Sequence, residues 1–196
     1  MRSTHSSTMK KIVIVTLLCF ATGLFGSFRE LEDKFVRVEV SEDIIVSLPE
    51  SFQKMTEDQM QRKFLSARPP LAAYTSPDQM ADFGVNVSNP RWQASDLPIL
   101  KDFYRSSLLE LYDEVDFIEE GIHSVNNADM VFFEFTSLVN EDEDSVVPKP
   151  PVQQYTYVQY AIHENKALVF TFSCPTRRKN QWQPTAQKIM ASVKMK

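Results

Sequence analysis

The chain has 196 residues, a formal net charge of −5 and two cysteines. Binding to nucleic acid requires clustered Lys and Arg that neutralise phosphates, so this acidic balance argues against a nucleic-acid partner. Beyond residue 27 the only glycines are Gly84 and Gly121. Phosphate-cradling loops need several glycines close together, and the sequence therefore excludes a P-loop and a dinucleotide-binding fingerprint.

The N-terminal residues 1–27 have the pattern of a signal peptide. Lys10 and Lys11 precede an apolar stretch from Ile12 to about Phe25, which is shorter than the roughly 20 residues of a membrane-spanning helix. We therefore expect an exported protein, periplasmic or envelope-associated. Because bulky residues occupy position −3 of the candidate cleavage sites, an uncleaved N-terminal anchor is the alternative, and it would be the only contact with a membrane.

The two cysteines suggest no disulfide. Cys19 lies inside the apolar stretch, and the bulky Leu18 before it disfavours a lipoprotein acylation site. Once the leader is removed, Cys174 has no partner in the same chain. A lone thiol after a strand is most often a packed small hydrophobe.

Residues 28–196 are long enough for a single domain with its own core, which is predicted to begin with strands. Alternating apolar and polar residues, or short β-rich runs beside turn signals, predict these strands. The predicted strands cover residues 34–40, 44–48, 71–76 and 82–88. Between the second and third of them, Thr56 and Gln59 have the spacing of a capping box, which predicts a short helix that ends near Leu65.

A longer helix is predicted from about Leu97 to Tyr112. Ser95 or Asp96 can cap its start, and Pro98 falls in the first turn, where a missing N–H costs nothing. Apolar residues three and four positions apart give this helix one apolar stripe. The stripe consists of Leu97, Leu100, Tyr104, Leu108 and Leu111.

The second half repeats the order of strands followed by a helix. The predicted strands cover residues 116–122, 130–138, 152–162 and 167–173, and a helix follows over about 181–195. One face of that helix carries Trp182, Ala186, Ile189, Met190 and Val193. We expect Trp182 to be buried where the helix crosses the sheet. Hairpin-length connections favour an α+β fold, an antiparallel β-sheet with helices packed on it.

This pattern resembles the PsbP-like fold, shared by the photosystem PsbP proteins, the Ran-binding MOG proteins and small exported bacterial proteins. The resemblance lies in a strand that runs into a corner from Pro49 to Phe52, and in an ending with Ala186, Ile189 and Ser192. Ala186 departs from the family pattern, which has an aromatic residue there. The resemblance implies an α/β/α sandwich that serves mostly for binding proteins or assisting assemblies, and it implies no catalytic residue.

The residues themselves assign no catalytic, cofactor or metal site. His123 and His163 form no spaced ligand pair with another His, Cys or acid, so both are interpreted as surface or cap residues. A dyad of Cys174 with His163 is excluded because antiparallel pairing places Cys174 opposite the start of the preceding strand, away from the turn. An enzyme alternative remains, a hydrolase whose Ser, His and Asp converge only in three dimensions.

Aromatic residues lie on both faces of the strand over 152–162. Tyr155 and Tyr157 share one face, and Tyr160 lies on the other. Either helices cover both faces, or one face is a partly open aromatic groove for a peptide or small apolar ligand. In the strand over 130–138, Phe133 and Phe135 are predicted to point inward, with Phe132 and Glu134 outward.

The connection from Val139 to Pro151 is acidic and rich in proline, and the four acids are Glu141, Asp142, Glu143 and Asp144. Alternate oxygens at Asn140, Asp142 and Asp144 resemble the start of an EF-hand loop. Ser145 and Pro151, however, occupy the required glycine and glutamate positions. A solvated loop is the simpler interpretation, and a weak divalent-cation site stays open.

These observations favour a non-enzymatic exported protein that binds another protein or assists an envelope assembly. The partner is unidentified. Its predicted contact residues are the four acids at 141–144 with Tyr155 and Tyr157, because acids steer a basic partner and long connections are often functional. A carrier of a small apolar or peptide ligand is the alternative that the aromatic residues suggest.

Overall fold

A computed structural model describes residues 34–64, 69–140 and 150–196. The strands, in chain order, are β1 Phe35–Glu39, β2 Ile44–Pro49, β3 Gln53–Lys54, β4 Ala72–Thr75, β5 Asp82–Arg91, β6 Glu114–Val125, β7 Ala128–Val139, β8 Val152–His163, β9 Lys166–Pro175 and β10 Lys194–Met195. The helices are α1 Glu57–Lys63, α2 Leu97–Leu111 and α3 Lys179–Ala191. Short 3-10 turns, Ala94–Asp96 and Thr176–Arg178, precede α2 and α3.

A seven-stranded antiparallel sheet forms the middle of the fold, with strand order β3-β4-β5-β9-β8-β7-β6. The hairpins β6–β7 and β8–β9 turn through two residues each, Asn126–Asn127 and Glu164–Asn165. All four turn residues have positive φ, as expected for the type I′ turn that matches the twist of paired strands. The antiparallel sheet with packed helices confirms the predicted α+β class.

A second sheet of three strands has the order β1-β2-β10. The two N-terminal strands pair with each other, in the register Val36 opposite Leu48. The third strand follows α3, in residues that were predicted to extend the final helix. That assignment was wrong at its end: α3 stops at Ala191, and Lys194 and Met195 pair with β2 instead.

The two faces of the large sheet have separate cores. On one face the core contains residues of β2, β4, β5, β7, β8 and β9 together with α3. On the other face Leu100 and Leu108 of α2 pack on Phe133, Phe135 and neighbouring residues. The sheet is therefore a layer between α3 and α2, as in the α/β/α sandwich that the resemblance implied.

The last helix lies against both sheets, and the predicted core positions are confirmed. Trp182, Ala186, Ile189 and Met190 of α3 and the following Val193 are all buried. The indole ring of Trp182 meets Phe52 edge to face at 5.7 Å, so the corner Pro49–Phe52 contacts this helix directly.

A serine hydroxyl ties the end of α3 to the small sheet. The Ser192 Oγ accepts the backbone N–H of Ser47 in β2 at 2.8 Å and donates to the Ile189 carbonyl at 2.7 Å. The backbone N–H of Ser192 also bonds to the Ile189 carbonyl. Ile189 and Ser192 are residues of the family-like ending, and their contacts explain why that ending has a serine.

Two local predictions are refined by the structure. The capping box of α1 is confirmed, since Thr56 Oγ1 accepts the Gln59 N–H and Gln59 Oε1 accepts the Thr56 N–H. In α2, Leu111 was predicted to belong to the buried stripe, but it is 67% exposed. It is the final residue of the helix, three positions beyond the buried Leu108, so periodicity alone placed it wrongly.

Candidate functional site

The acidic connection predicted as a partner contact falls mostly outside the described residues. Glu141, Asp142, Glu143 and Asp144 belong to this part, and their role stays a prediction. The residues before it are described: Asn140 donates its backbone N–H to Asp113 Oδ2 at 2.6 Å. Beside this end of β7 lies an open polar depression of about 200 Å³. Its lining includes Glu114, Asp116, Thr136, Ser137, Gln153 and Thr176.

Tyr155 and Tyr157, the other predicted contact residues, lie inside the core. Both side chains are buried on the α3 side of β8, and Tyr160 is buried on the α2 side. The first of the two alternatives, helices that cover both faces, is therefore the one observed. The tyrosines do not line an open groove, so a partner could reach Tyr155 or Tyr157 only if α3 moved.

A buried carboxylate replaces the outward-facing residue predicted in β7. Glu134 is only 1% exposed and Phe132 is buried as well, so the prediction that these two residues point outward was wrong. The Tyr155 hydroxyl donates to Glu134 Oε1 at 2.8 Å, and the side-chain amides of Gln183 and Gln187 in α3 donate to its two oxygens. β7 is an interior strand covered on both sides, which simple alternation cannot reveal.

The contacts of Glu134 explain why it can be buried, and they affect the pKa values of the neighbouring tyrosines. A buried carboxylate is tolerated when its oxygens are hydrogen-bonded, and here three side-chain donors supply those bonds. Burial raises the pKa of Tyr155 far above its usual value, and its bond to Glu134 raises it further. Burial and the nearby Glu134 also raise the pKa of Tyr157. Both phenols stay protonated, so this cluster holds α3 on the sheet rather than moving protons.

His123 is half-buried rather than a simple surface residue. Its ring stacks on Phe132 with the centroids 4.3 Å apart, and its Nε2 lies 3.1 Å from the side-chain nitrogen of Gln159. Burial lowers the pKa of His123, although the nearby Glu119 acts in the opposite direction. This contact is with a glutamine amide and not with a serine, so it does not form the nucleophile–base pair of a hydrolase.

Cys174 and His163 are held apart, as predicted. Cys174 pairs with Tyr155 at one end of the β8–β9 hairpin, whereas His163 pairs with Lys166 at the turn. Burial raises the pKa of the Cys174 thiol to about 12, which makes it a poor nucleophile.

Within the described residues, no group of three or more His, Cys, Asp or Glu is arranged to hold a metal ion. None of the helices described here is both long and apolar enough to cross a membrane.

The side of α2 that faces away from the sheet carries a surface that periodicity did not reveal. Ile99 is 64% exposed and Phe103 is 49% exposed, one helical turn apart. They line a shallow groove of about 450 Å³. We call this surface the outer face of α2; it consists of Ile99, Asp102, Phe103, Ser106, Ser107 and Glu110.

Aromatic contacts fix Phe103 on the outer face of α2. Its ring lies 5.8 Å from that of Trp92 and 5.2 Å from that of Tyr104, centroid to centroid. Tyr104 in turn stacks on Tyr160 of the sheet at 3.9 Å. The exposed ring is therefore connected to the core through a continuous row of aromatic side chains. A surface held in this way needs little ordering when it binds.

No protein-family model matches the chain, and no curated protein matches its sequence. Solved structures match in fold. Cyanobacterial PsbP (CyanoP) from Synechocystis sp. PCC 6803 aligns with a TM-score of 0.58 at 9% identity, over 84% of this chain and 94% of its own. LpqN of Mycobacterium tuberculosis, involved in cell envelope biogenesis, aligns with a TM-score of 0.54 at 8% identity, over 83% and 90%.

The Ran-binding protein Mog1p of Saccharomyces cerevisiae aligns with a TM-score of 0.53 at 12% identity. The alignment covers 83% of this chain and 95% of Mog1p. At such low identities the alignments establish the fold and nothing about the chemistry of individual residues. The chain has the PsbP-like fold.

Proposed function

We propose that this chain is a non-enzymatic exported protein that binds another protein through the outer face of α2. The observation that carries the proposal is the pair of large apolar side chains, Ile99 and Phe103, exposed side by side on that face. Neighbouring exposed apolar residues with a polar rim are typical of protein interaction sites. Burying the part of each side chain that is still exposed would contribute roughly 1–2 kcal/mol in an interface.

The charges of the groove define the partner further. Asp102 and Glu110 lie among its lining residues, together with the small side chains of Ser106 and Ser107. A partner that presents a bulky apolar residue beside Lys or Arg would fill the groove and meet both acids. Such complementarity contributes specificity and association rate more than affinity.

Two proteins of the same fold support this proposal by analogy. Mog1p is a Ran-binding protein, and LpqN is involved in cell envelope biogenesis. Both descriptions are compatible with a scaffold that acts by contact with other macromolecules. Fold does not dictate function, so the analogy adds to the exposed surface and does not replace it.

The test is affinity capture with the full chain from the cells that produce it. The double variant Ile99→Ser/Phe103→Ser should lose at least one protein that the wild type captures. The matched control is Leu71→Ser/Val152→Ser, which removes two large apolar side chains that are equally exposed but lie in other parts of the fold. The control should capture the same proteins as the wild type.

Circular dichroism must first establish that both double variants are folded. Identical sets of captured proteins from the wild type, the control and the outer-face variant would contradict the proposal. Loss of the same proteins from both variants would also contradict it, because the effect would then not be specific to the outer face of α2.

Export is the second part of the proposal and rests on the leader pattern in residues 1–27. Cell fractionation should find the protein in the periplasm or the envelope, with mass spectrometry to show whether the leader has been removed. Full-length protein found only in the cytosol, with its N-terminus intact, would contradict this part and leave the binding proposal standing.

A further inference from the structure

The large sheet has two unlike edges. At one edge lies β3, which has only two residues, Gln53 and Lys54. At the other edge lies β6, which has twelve residues and, in the part of the chain that the structure describes, pairs only with β7. Short or lysine-bearing edge strands are a common way to prevent further pairing, and β3 has both features. β6 has neither: it is long, and its sequence from 114 to 125 contains no Lys or Arg.

The outward backbone groups of β6 are open. Among the described residues, no backbone group of Glu114–Val125 bonds to another backbone group outside the β6–β7 ladder. The register shifts between Phe117 and Glu119, where Ile118 is the extra residue of a bulge. From Glu119 to Val125 the pairing is regular, which leaves a straight run of edge for another strand.

The side chains along this edge give it a marked chemical character. Glu114, Asp116 and Glu119 are exposed and form no ion pair within the described part of the chain. Their cross-strand partners are residues of β7, and Glu119 pairs with Glu134 on the α3 side of the sheet.

The opposite face of β6 differs in charge. Glu120, which points toward α2, is neutralised by Lys101 at 3.3 Å and by Arg105 at 3.0 Å. Ile122 is 44% exposed on the same side, and Ile118 at the bulge is 41% exposed. On one face of the edge the acids thus have no ion-pair partner in the described part of the chain, and the other face is partly apolar.

We propose that β6 accepts an extended basic segment of a partner protein as an additional strand of the large sheet. In such strand addition, backbone hydrogen bonds supply the affinity and alternate side chains supply the specificity. The fitting segment has Lys or Arg on the face that meets Asp116 and Glu119, and apolar residues on the opposite face, beside Ile122. This surface is separate from the outer face of α2 and needs no contact with it.

A second copy of this chain fits the edge poorly. Antiparallel pairing of β6 with itself over its whole length would place Glu119 opposite Glu120 of the other copy. Like charges placed opposite each other across two strands are destabilising. The charge of the edge therefore favours a basic partner over self-association.

The test uses the full chain and a short peptide of alternating lysine and valine, long enough to span residues 116–125 of β6. Binding should shift the backbone NMR signals of β6 more than those of β3, and the affinity should fall as salt is added. A second peptide carries N-methyl groups on the backbone nitrogens that face β6, which keeps every charge and removes the hydrogen bonds that the peptide N–H groups donate to β6. Its affinity should be lower by about tenfold or more.

Charge reversal on the protein provides the matched comparison. The double variant Asp116→Lys/Glu119→Lys should weaken peptide binding by about tenfold or more. The control Glu42→Lys/Asp58→Lys changes the net charge by the same amount at exposed sites away from β6 and should bind like the wild type.

Three results would overturn the proposal. Equal affinity for the N-methylated peptide would show attraction by charge without strand addition. Equal weakening by the two charge-reversal variants would show a general effect of net charge. A dimer that forms through β6 and excludes the peptide would identify a second copy as the occupant. The variant Ile99→Ser/Phe103→Ser should leave peptide binding unchanged. The strand-addition proposal can therefore be disproved without disproving the proposed binding at the outer face of α2, and the reverse.

Discussion

The two long helices cover opposite faces of the same sheet, but they are used differently. α3 lies between two sheets and contacts β2 as well as β8 and β9. α2 contacts β6 and β7 on one side, and its other side is exposed. α3 carries more polar residues than α2, yet four of its residues are buried, against two in α2. Burial thus depends on what surrounds a helix more than on its own composition.

This difference between the helices distinguishes residues that stabilise the fold from residues that are free to contact another molecule. In α3 even the polar residues Gln183 and Gln187 have a structural role, because they bond to the buried Glu134. In α2 the exposed Ile99 and Phe103 lie outside the core around Leu100, although the Phe103 ring contacts Trp92 and Tyr104 at its margin. Large apolar residues that the fold leaves exposed are the best candidates for a contact with another molecule.

The largest expected effect is the loss of the indole ring in α3. Trp182→Ala should lower the free energy of unfolding by roughly 3–5 kcal/mol, because a large buried side chain is removed between two sheets. Trp182→Phe should cost less, since it keeps an aromatic ring beside Phe52 and Phe172. Denaturant titration measures both variants. A loss below about 1 kcal/mol for the alanine variant would mean that α3 does not dock in this way.

A smaller effect is expected from the buried carboxylate beneath α3. Glu134→Ala should cost about 1–3 kcal/mol, because it leaves the Tyr155 hydroxyl and the Gln183 amide without their acceptor. Glu134→Gln keeps one acceptor oxygen and should cost less.

The control for Glu134 lies under α2. Glu120 pairs with Lys101 and Arg105 near the surface, so Glu120→Gln should cost about 1 kcal/mol or less. Equal losses for Glu120→Gln and Glu134→Ala in the same denaturant titration would contradict the distinction between the two faces.

The next prediction concerns pH and His123 on the α3 side of the sheet. Its pKa in the folded protein is lowered, so the unfolded chain binds the proton more tightly. The stability that neutral His123 provides is present above the unfolded pKa and is lost as pH falls toward the folded pKa. Between about pH 7.5 and pH 5, the wild type should therefore lose more stability than His123→Phe.

Phenylalanine is the matched replacement because it retains a ring on Phe132 and cannot titrate. All other ionisable groups are common to the two proteins, so the difference between their pH profiles isolates His123. Parallel profiles from denaturant titrations at several pH values would show that the imidazole is not coupled to folding.

The smallest expected effect contrasts neighbouring residues on opposite sides of α2. Ile99→Ser should change the free energy of unfolding by no more than about 0.5 kcal/mol, since Ile99 is mostly exposed. Leu100→Ala, one position later and fully buried, should cost about 2–5 kcal/mol. A large loss for Ile99→Ser in thermal or denaturant unfolding would assign the outer face of α2 to the fold and remove it as a binding surface.

Local pattern accounts for much of the fold. The capping box at Thr56 and Gln59 depends on residues three positions apart, so the sequence contains all of its parts. The stripe of α2 predicted the buried Leu100 and Leu108, and the pattern of α3 predicted the burial of Trp182. The pairing of Cys174 with Tyr155 across two strands could also be predicted, because both residues belong to one hairpin. In each case the residues that carry the signal are close in sequence, and simple periodicity relates them.

The sequence by itself thus determined the α+β class, the positions of most strands and helices, and the inward face of the last helix. Only the tertiary structure decided that Glu134 is buried, that Tyr155 and Tyr157 are covered, that Lys194 and Met195 form a strand, and that Ile99 and Phe103 face outward. These properties depend on which elements lie beside a residue, and those elements are distant in the chain. Periodicity identifies the two faces of a strand or helix, but whether a face is covered depends on long-range packing.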